Sequence, residues 1–278
     1  MLFGSDDGYA YCLDAADGEV VWKLRAGPSE DRLLARGDMI SRWPVRTGVL
    51  VDTGVAYFGA GIFPHENVFL YAVKVDDGTI VWKRDNISEA DAGRDDLSPQ
   101  GYLLASNELL FVPSGRSLPA AFRRADGEKV HKRVFGWRGD GGGQIGGTQA
   151  LLADGQIYAG GPHHMVALDQ KSGDVGFGWF TGRQMAVRED WAYVANGTEI
   201  VRINRMEYAV ASRERQKLFP QLRELYIKAY YRPDKDDPGA TLAELNRVKA
   251  EIAALEQQGR RWTAQSDLES SLIVAGDL

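Results

Sequence analysis

Five short stretches of the chain alternate apolar with polar or small residues and end in small ones: MLFGS at 1–5, VAYFGAG at 55–61, LLFVPSG at 109–115, QIYAGG at 156–161 and WAYVANG at 191–197. A period of two, rich in Tyr, Phe, Val and Ile and bounded by turn residues, predicts half-buried antiparallel strands. After four of these runs come Asp17-Gly18, Asp77-Gly78, Asp126-Gly127 and Ser172-Gly173. Such pairs supply the positive φ that a tight reversal requires. One unit therefore reads as strand, turn, strand, Gly-turn, strand, and a fourth strand fits the longer spacers, as in PVRTGVLV at 44–51. The predicted unit is a four-stranded blade of roughly 40–50 residues, a size typical of propeller architectures.

A second pattern lies over the first. A small residue is followed two positions on by Asp, four further by Gly and four further by an aromatic. It is clearest at Cys12, Asp14, Gly18, Trp22, and again at Ala72, Lys74, Gly78, Trp82. Ala121, Arg123, Gly127, His131 keep the spacing with His in the last place, and Ala167, Asp169, Gly173, Phe177 keep it with Phe. Self-similarity at intervals of roughly 46–60 residues points to propellers, solenoids or arrays. A flat ring at the end of an outer strand can cover the Gly-turn of a neighbouring blade, and its burial contributes about 1.5–3 kcal/mol.

From Met206 the period changes. Leu218, Leu222, Leu225 and Tyr226 stand at helical spacing within 206–231, with Pro220 expected to kink or restart the helix. Beyond the breaker cluster PDKDDPG at 233–239, Thr241 with Glu244 forms a capping-box pattern. Leu242, Leu245, Val248, Ile252 and Leu255 then make a seam over 241–258. The two segments predict an antiparallel helical hairpin. Its position follows from EIVRINR at 199–205, which matches the strands carrying Asp14 and Asp169 and puts Asn204 at the Asp position. The aromatic due eight residues later is missing, and the next tryptophan is Trp262. The hairpin is therefore expected to be an insertion in the Gly-turn of the fifth blade, completed by Trp262. The competing reading is a helical linker to a separate domain. Insertions at surface turns cost little loop-closure entropy and often carry partner contacts.

The expected fold is all-β: a β-propeller of four-stranded blades, about five to six of them present, with an inserted antiparallel α-helical hairpin. Blades occupy 1–205, the insertion 206–261, and 262–278 return to the propeller and open a further blade at SSLIVAGDL. The chain starts inside a strand, so either a fragment of a longer protein or a start assigned too far downstream is expected.

Composition narrows the function. A formal charge of −6 lacks the basic stripe of a nucleic-acid binder, and no apolar run approaches the ~18 residues that span a bilayer. Cys12 is the only cysteine and is expected as a small buried hydrophobe. His163 and His164 are adjacent, and adjacent strand residues point to opposite faces, so they cannot share one ion there. The glycine run RGDGGGQIGG at 138–147 lacks the following helix of a phosphate cradle and reads as an inter-blade loop. Asp6-Asp7 and Asp76-Asp77 adjoin glycine and read as turn formers. Arg42, Trp43 and Arg46 are either a channel-rim cluster or part of a packed strand.

The Ala/Asp/Gly/Trp spacing resembles the tryptophan-docking repeat of the pyrroloquinoline-quinone-type β-propellers. That family includes quinoprotein dehydrogenases and the non-catalytic lipoprotein of outer-membrane β-barrel assembly. The resemblance covers residues 1–205 and 262–278, and the chain departs from it at Cys12, Lys74, Arg123, His131 and Phe177. It implies blade-docking roles for Gly18, Trp22, Gly78, Trp82, Gly127, His131, Gly173, Phe177 and Trp262. It also implies a periplasmic or extracytoplasmic location, although no signal peptide is visible. The dehydrogenases hold a quinone over calcium with carboxylate and amide ligands, and many carry adjacent cysteines. None of these can be placed here residue by residue, so no catalytic, cofactor or metal residue is assigned. The expectation is a non-catalytic protein-binding or scaffold module that contacts partners through a propeller face or the hairpin. The alternatives are a quinoprotein dehydrogenase fragment, with the quinone and calcium, or the recognition propeller of a larger multidomain enzyme.

Overall fold

The computed structural model describes all residues except 36, 89–95, 115–117, 133–149, 161–163, 183, 232–237, 269–271 and 274–278. The glycine run at 138–147, His163 and most of SSLIVAGDL lie outside the described residues. The side chains of His164 and Phe177 do as well. By contact density the chain forms two compact units, Met1–Val175 and Gly176–Leu278.

The first unit is a series of antiparallel sheets, each laid down in chain order. Blade 1 has three strands, Leu2–Gly4, Tyr9–Leu13 and Val20–Arg25. Blade 2 has four, Leu50–Asp52, Val55–Ala60, Phe69–Lys74 and Ile80–Arg84. Blade 3 repeats this with Leu104–Ala105, Leu109–Val112, Ala120–Arg123 and Lys129–His131. Blade 4 is built on Ala150–Ala153, Gln156–Gly160 and His164–Asp169, and the strand Val175–Thr181 carries the chain over the division between the units. Each alternating run found in the sequence is the second strand of a four-stranded blade, or the first of blade 1. PVRTGVLV is not one strand: it splits into Thr47–Gly48 and Leu50–Asp52. The former pairs in parallel with Gly101–Tyr102. A further hairpin, Arg32–Ala35 with Asp38–Ser41, follows blade 1.

Apolar faces of successive blades fill the spaces between them. One cluster joins Ala10, Cys12 and Trp22 of blade 1 to Phe58, Tyr71 and Val73 of blade 2. A second joins Tyr57, Leu70 and Ala72 to Leu110, Val112 and Phe122 of blade 3. Cys12 is a free, buried thiol, as a small core residue should be. Trp43 is also core: its ring lies where a Cβ on Gly27 would stand, and its Nε1–H donates to the carbonyl of Glu66 at 2.8 Å. Arg42 makes two hydrogen bonds to the Glu66 carboxylate and Arg46 two to that of Asp6, so the cluster is packed and paired.

The second unit holds blade 5 and two helices. The blade comprises Gln184–Arg188, Trp191–Ala195, Glu199–Asn204 and Arg260–Gln265. Helix α1 spans Arg205–Tyr230 and α2 spans Pro238–Gln257, between the third and fourth strands. Two expectations are corrected. Helix α1 does not restart at Pro220 but runs through it as one element, at an exposed position. Thr241 is not a cap, because α2 already begins at Pro238, a residue whose fixed φ suits the first helical position.

Candidate interaction site

Each Gly-turn is held by the backbone. In blades 1–4 the N–H of Gly18, Gly78, Gly127 and Gly173 donates to the carbonyl of Asp14, Lys74, Arg123 and Asp169 respectively. The N–H of those same four residues donates to the carbonyl of Glu19, Thr79, Glu128 and Asp174. Because the position acts through its main chain, Lys74 and Arg123 can stand where Asp is the pattern. Side chains then brace the turn: Asp77 Oδ1 accepts from the Thr79 amide, Asp126 Oδ1 from the Glu128 amide, and Asp169 Oδ1 from the Lys171 and Ser172 amides. Those amide hydrogen bonds hold all three carboxyls below the ordinary carboxylate range. Asp77 is thus occupied by its own turn, and Asp7 accepts from the amide of Tyr9 and the hydroxyl of Tyr11.

The closing ring of one blade sits on the Gly-turn of the next. A Cβ placed on Gly78 would meet the Trp22 ring at 2.9 Å, one on Gly127 the Trp82 ring at 2.6 Å, and one on Gly173 the His131 ring closer still. Each ring also makes one hydrogen bond. Trp22 Nε1–H donates to the Val75 carbonyl at 2.8 Å and Trp82 Nε1–H to the Arg124 carbonyl at 2.8 Å. His131 Nε2 lies 2.9 Å from the Gln170 carbonyl, which assigns it the proton. Val75, Arg124 and Gln170 each follow the Asp position by one residue, a role the side-chain pattern does not encode. Imidazole replaces indole at 131 because it keeps both a flat face and a ring N–H.

Blade 5 converts this turn into an insertion. Trp262 pairs with Arg202, as Trp22 does with Cys12, Trp82 with Ala72 and His131 with Ala121. In all four pairs of strands a register shift adjoins that position. The Asn204 N–H donates to the carbonyl of Gly259, so Gly259 stands where the other blades have Glu19, Thr79, Glu128 and Asp174. Asn204 Oδ1 accepts from the Glu207 amide and caps α1. Asp169 brackets its turn by the same three-residue step, so a cap that starts a Gly-turn also starts a helix.

The base of the hairpin is fastened both to the strand Val175–Thr181 that precedes blade 5 and to the last strand of that blade. Tyr208 stacks on Phe180 with centroids 4.6 Å apart, and Tyr208, Ala211, Ser212 and Arg215 are buried. Arg215 pairs with Glu256 of α2 at 3.2 Å, and Arg261 pairs with Glu207. A cavity of about 100 Å³ remains at this base, lined by Val201, Ile203, Tyr208, Glu199, Glu256 and Arg260. Along the seam Leu245, Val248 and Ile252 are buried while Leu242 is exposed. The far end of α1 presents Tyr226, Ile227, Tyr230 and Tyr231 to solvent, with the Tyr226 ring 4.8 Å from Tyr230 and 6.3 Å from Tyr231.

Among the described residues no group of three or more His, Cys, Asp or Glu is placed to hold a metal ion. No helix among the described residues is long and apolar enough to cross a membrane.

Repeated four-stranded sheets, with the closing rings of three blades docked on the next Gly-turn, define a β-propeller of the pyrroloquinoline-quinone-repeat type. The chain belongs to the family described as outer membrane protein assembly factor BamB, whose match spans residues 1–212. No curated protein matches it in sequence. Among solved structures it is similar to BamB from Moraxella catarrhalis, at 15% identity and a TM-score of 0.48 over 74% of this chain and 54% of that one. It is also similar to quinohemoprotein alcohol dehydrogenase from Comamonas testosteroni, at 11% identity and a TM-score of 0.46 over 73% of this chain and 43% of that one. The chain therefore spans about half the length of that BamB structure.

Proposed function

We propose that this protein is a non-catalytic scaffold that binds a protein partner through its helical hairpin, in the extracytoplasmic compartment where outer-membrane proteins are assembled. The observation that carries this reading is the exposed aromatic end of α1. Blade 5 needs only a short turn between Asn204 and Gly259, yet it carries two helices whose far end leaves Tyr226, Ile227, Tyr230 and Tyr231 uncovered. Tyrosine offers large contact area and a polar tip at low entropic cost, and it is enriched in protein interfaces. The compartment and the assembly role come from the family's description.

The test compares the full chain with a Tyr226→Ala, Tyr230→Ala, Tyr231→Ala variant in binding to the purified outer-membrane assembly complex of its host. Loss of binding with unchanged folding supports the reading, and binding unaffected by the variant overturns it. Reconstitution with the quinone and calcium in a dye-linked alcohol assay is the complementary measurement. Turnover there would make the protein an enzyme.

A further inference from the structure

Within the first unit, blades 2 and 3 meet at a pair of turns that one arginine side chain joins. Arg124 follows Arg123 at the end of the third strand of blade 3. Its guanidinium donates to the carboxylate of Asp52, where the first strand of blade 2 ends, and to the carbonyl of Ser106 at 2.9 Å, where the first strand of blade 3 ends. The guanidinium carbon also lies 5.5 Å from the ring centroid of Tyr57, and the side chain is only 14% exposed. A planar, weakly hydrated cation thus fills the gap between two blade turns.

Between blades 3 and 4 the same two places hold Ser106 and Gln170. Leu104 pairs with Phe111 as Leu50 does with Tyr57, which puts Ser106 where blade 2 has Asp52. The Gln170 N–H donates to the Gly155 carbonyl as that of Arg124 does to the Glu108 carbonyl, so the two backbones match. The side chains do not: Gln170 turns into its own blade, its Nε2–H donating to the Gln156 carbonyl at 3.1 Å. A groove of about 870 Å³ stands open here between Ser106–Leu109 and Asp169–Lys171, with Val130 of the last strand of blade 3 in its wall. Leu109 and Val130 are its apolar lining, and Val130 is 43% exposed. Its charged lining is Glu108 and Asp169 against Lys171. The Asp169 carboxylate accepts from the amides of its own turn, whereas the Glu108 carboxylate is exposed and has no ion-pair partner among the described residues.

We propose that this groove takes an extended segment of a protein partner that carries one arginine beside apolar residues, the guanidinium on Glu108 and an apolar side chain on Leu109 and Val130. Two observations select that chemistry. The preceding junction is filled by a guanidinium, and the groove has two acidic groups to one basic. Arginine is also the cation whose fork matches a carboxylate while its plane packs on neighbouring surface. Lys171 opposes a run of basic residues and is a donor for the main-chain carbonyls of the segment, so a mixed segment fits better than a polybasic one. The groove lies wholly in the first unit, and the inference is independent of the hairpin's role.

The test titrates the full chain with the capped tripeptide acetyl-Leu-Arg-Leu-amide and with its citrulline counterpart, which keeps the shape without the charge, and follows backbone amide shifts by NMR. The arginine peptide is expected to move the amides of Asn107, Glu108, Leu109 and Lys171 saturably, and the citrulline peptide to bind about fivefold more weakly. Glu108→Gln, a change at an exposed position, should weaken the arginine peptide by a similar factor and leave the citrulline peptide unaffected. A double variant, Ser106→Asp with Gln170→Arg, rebuilds in this groove the bridge that joins blades 2 and 3. It should melt at or above the wild-type temperature and lose the peptide-induced shifts, and circular dichroism establishes that both variants are folded. No saturable shift at the groove, shifts confined to Tyr226–Tyr231, equal affinity for the two peptides, or full affinity in Glu108→Gln or in the folded double variant would each overturn the proposal.

Discussion

The indole of Trp82 lies on Gly127, one blade further along the chain, and donates its Nε1–H to the carbonyl of Arg124 at 2.8 Å. A single side chain thereby covers a turn, satisfies a main-chain acceptor and fixes the spacing of two sheets. Its energetic weight can be isolated, because the chain supplies an internal control. Gly127→Ala places a methyl 2.6 Å from the ring at φ 76°, while Gly18→Ala meets nothing within 4 Å at φ 78°. Both lose about 1–2 kcal/mol to the left-handed backbone. Urea unfolding should show Gly127→Ala costing about 1–3 kcal/mol more than Gly18→Ala, from overpacking alone. Equal losses would mean the ring moves aside freely.

The hydrogen bond separates from the packing in a second pair of variants. Trp82→Phe keeps an aromatic face but leaves the Arg124 carbonyl without its indole donor, at an expected cost of about 1–3 kcal/mol. Trp82→Ala should cost about 3–5 kcal/mol. The measurement is the urea midpoint at constant m-value. A Phe variant as unstable as the Ala variant would show that the hydrogen bond outweighs the packing.

Much of this architecture is legible in the sequence because it depends on local chemistry. Asp-Gly demands a positive φ at Gly18, Gly78 and Gly127, and alternation in VAYFGAG and WAYVANG fixes which face is buried. Asn204 at the Asp position and Trp262 as the delayed aromatic place the hairpin in one turn. Contacts made by main-chain atoms leave no such trace: the carbonyls of Val75, Arg124 and Gln170 are anonymous in sequence, and only their place one residue after the motif position gives them away. The parallel pairing of Thr47–Gly48 with Gly101–Tyr102 is a long-range event with no local pattern. The fastening of α1 is hidden for another reason. Arg205, Tyr208, Ser212 and Arg215 are polar or amphipathic, so the face that touches the blade does not stand out as an apolar seam.

Acid should loosen the turns. Amide hydrogen bonds hold the carboxyls of Asp77, Asp126 and Asp169 below their ordinary value of 3.8. Groups with a depressed folded pKa stabilise the fold fully above the unfolded value, and that contribution is lost as pH falls through the folded one. Thermal melting is therefore expected to fall steeply below about pH 4. An Asp77→Asn, Asp126→Asn, Asp169→Asn variant, which keeps the acceptor oxygen without the titration, should show a shallower decline over the same window. An unchanged slope would place the acid sensitivity elsewhere.

Pro220 should be a stability defect with no structural need behind it. It sits exposed within α1, where the ring removes one backbone hydrogen bond and crowds the preceding turn. Pro220→Ala is expected to raise stability by about 1–3 kcal/mol without changing the blades, read as a higher melting temperature and added helical circular dichroism. A loss of stability would show that the proline sets a bend on which the packing of α1 against α2 relies.

The hairpin should divide into a structural base and a dispensable shaft. Removing it entirely would expose Phe180 and Ile203, which are buried at the base of α1, so a complete deletion is expected to destabilise the second unit. A shorter cut that joins Arg215 to Ile252 through a Gly-rich turn keeps Tyr208 on Phe180 and Arg215 beside Glu256. It removes every exposed tyrosine at the far end. This truncated chain should melt within a few degrees of the full chain and retain protection of the Glu199–Asn204 and Arg260–Gln265 amides in hydrogen exchange. Partner binding should be lost. If the short cut unfolds blade 5 as badly as the complete deletion, the shaft is part of the folding unit, and its stabilising contacts lie in the α1–α2 seam at Leu245 and Val248.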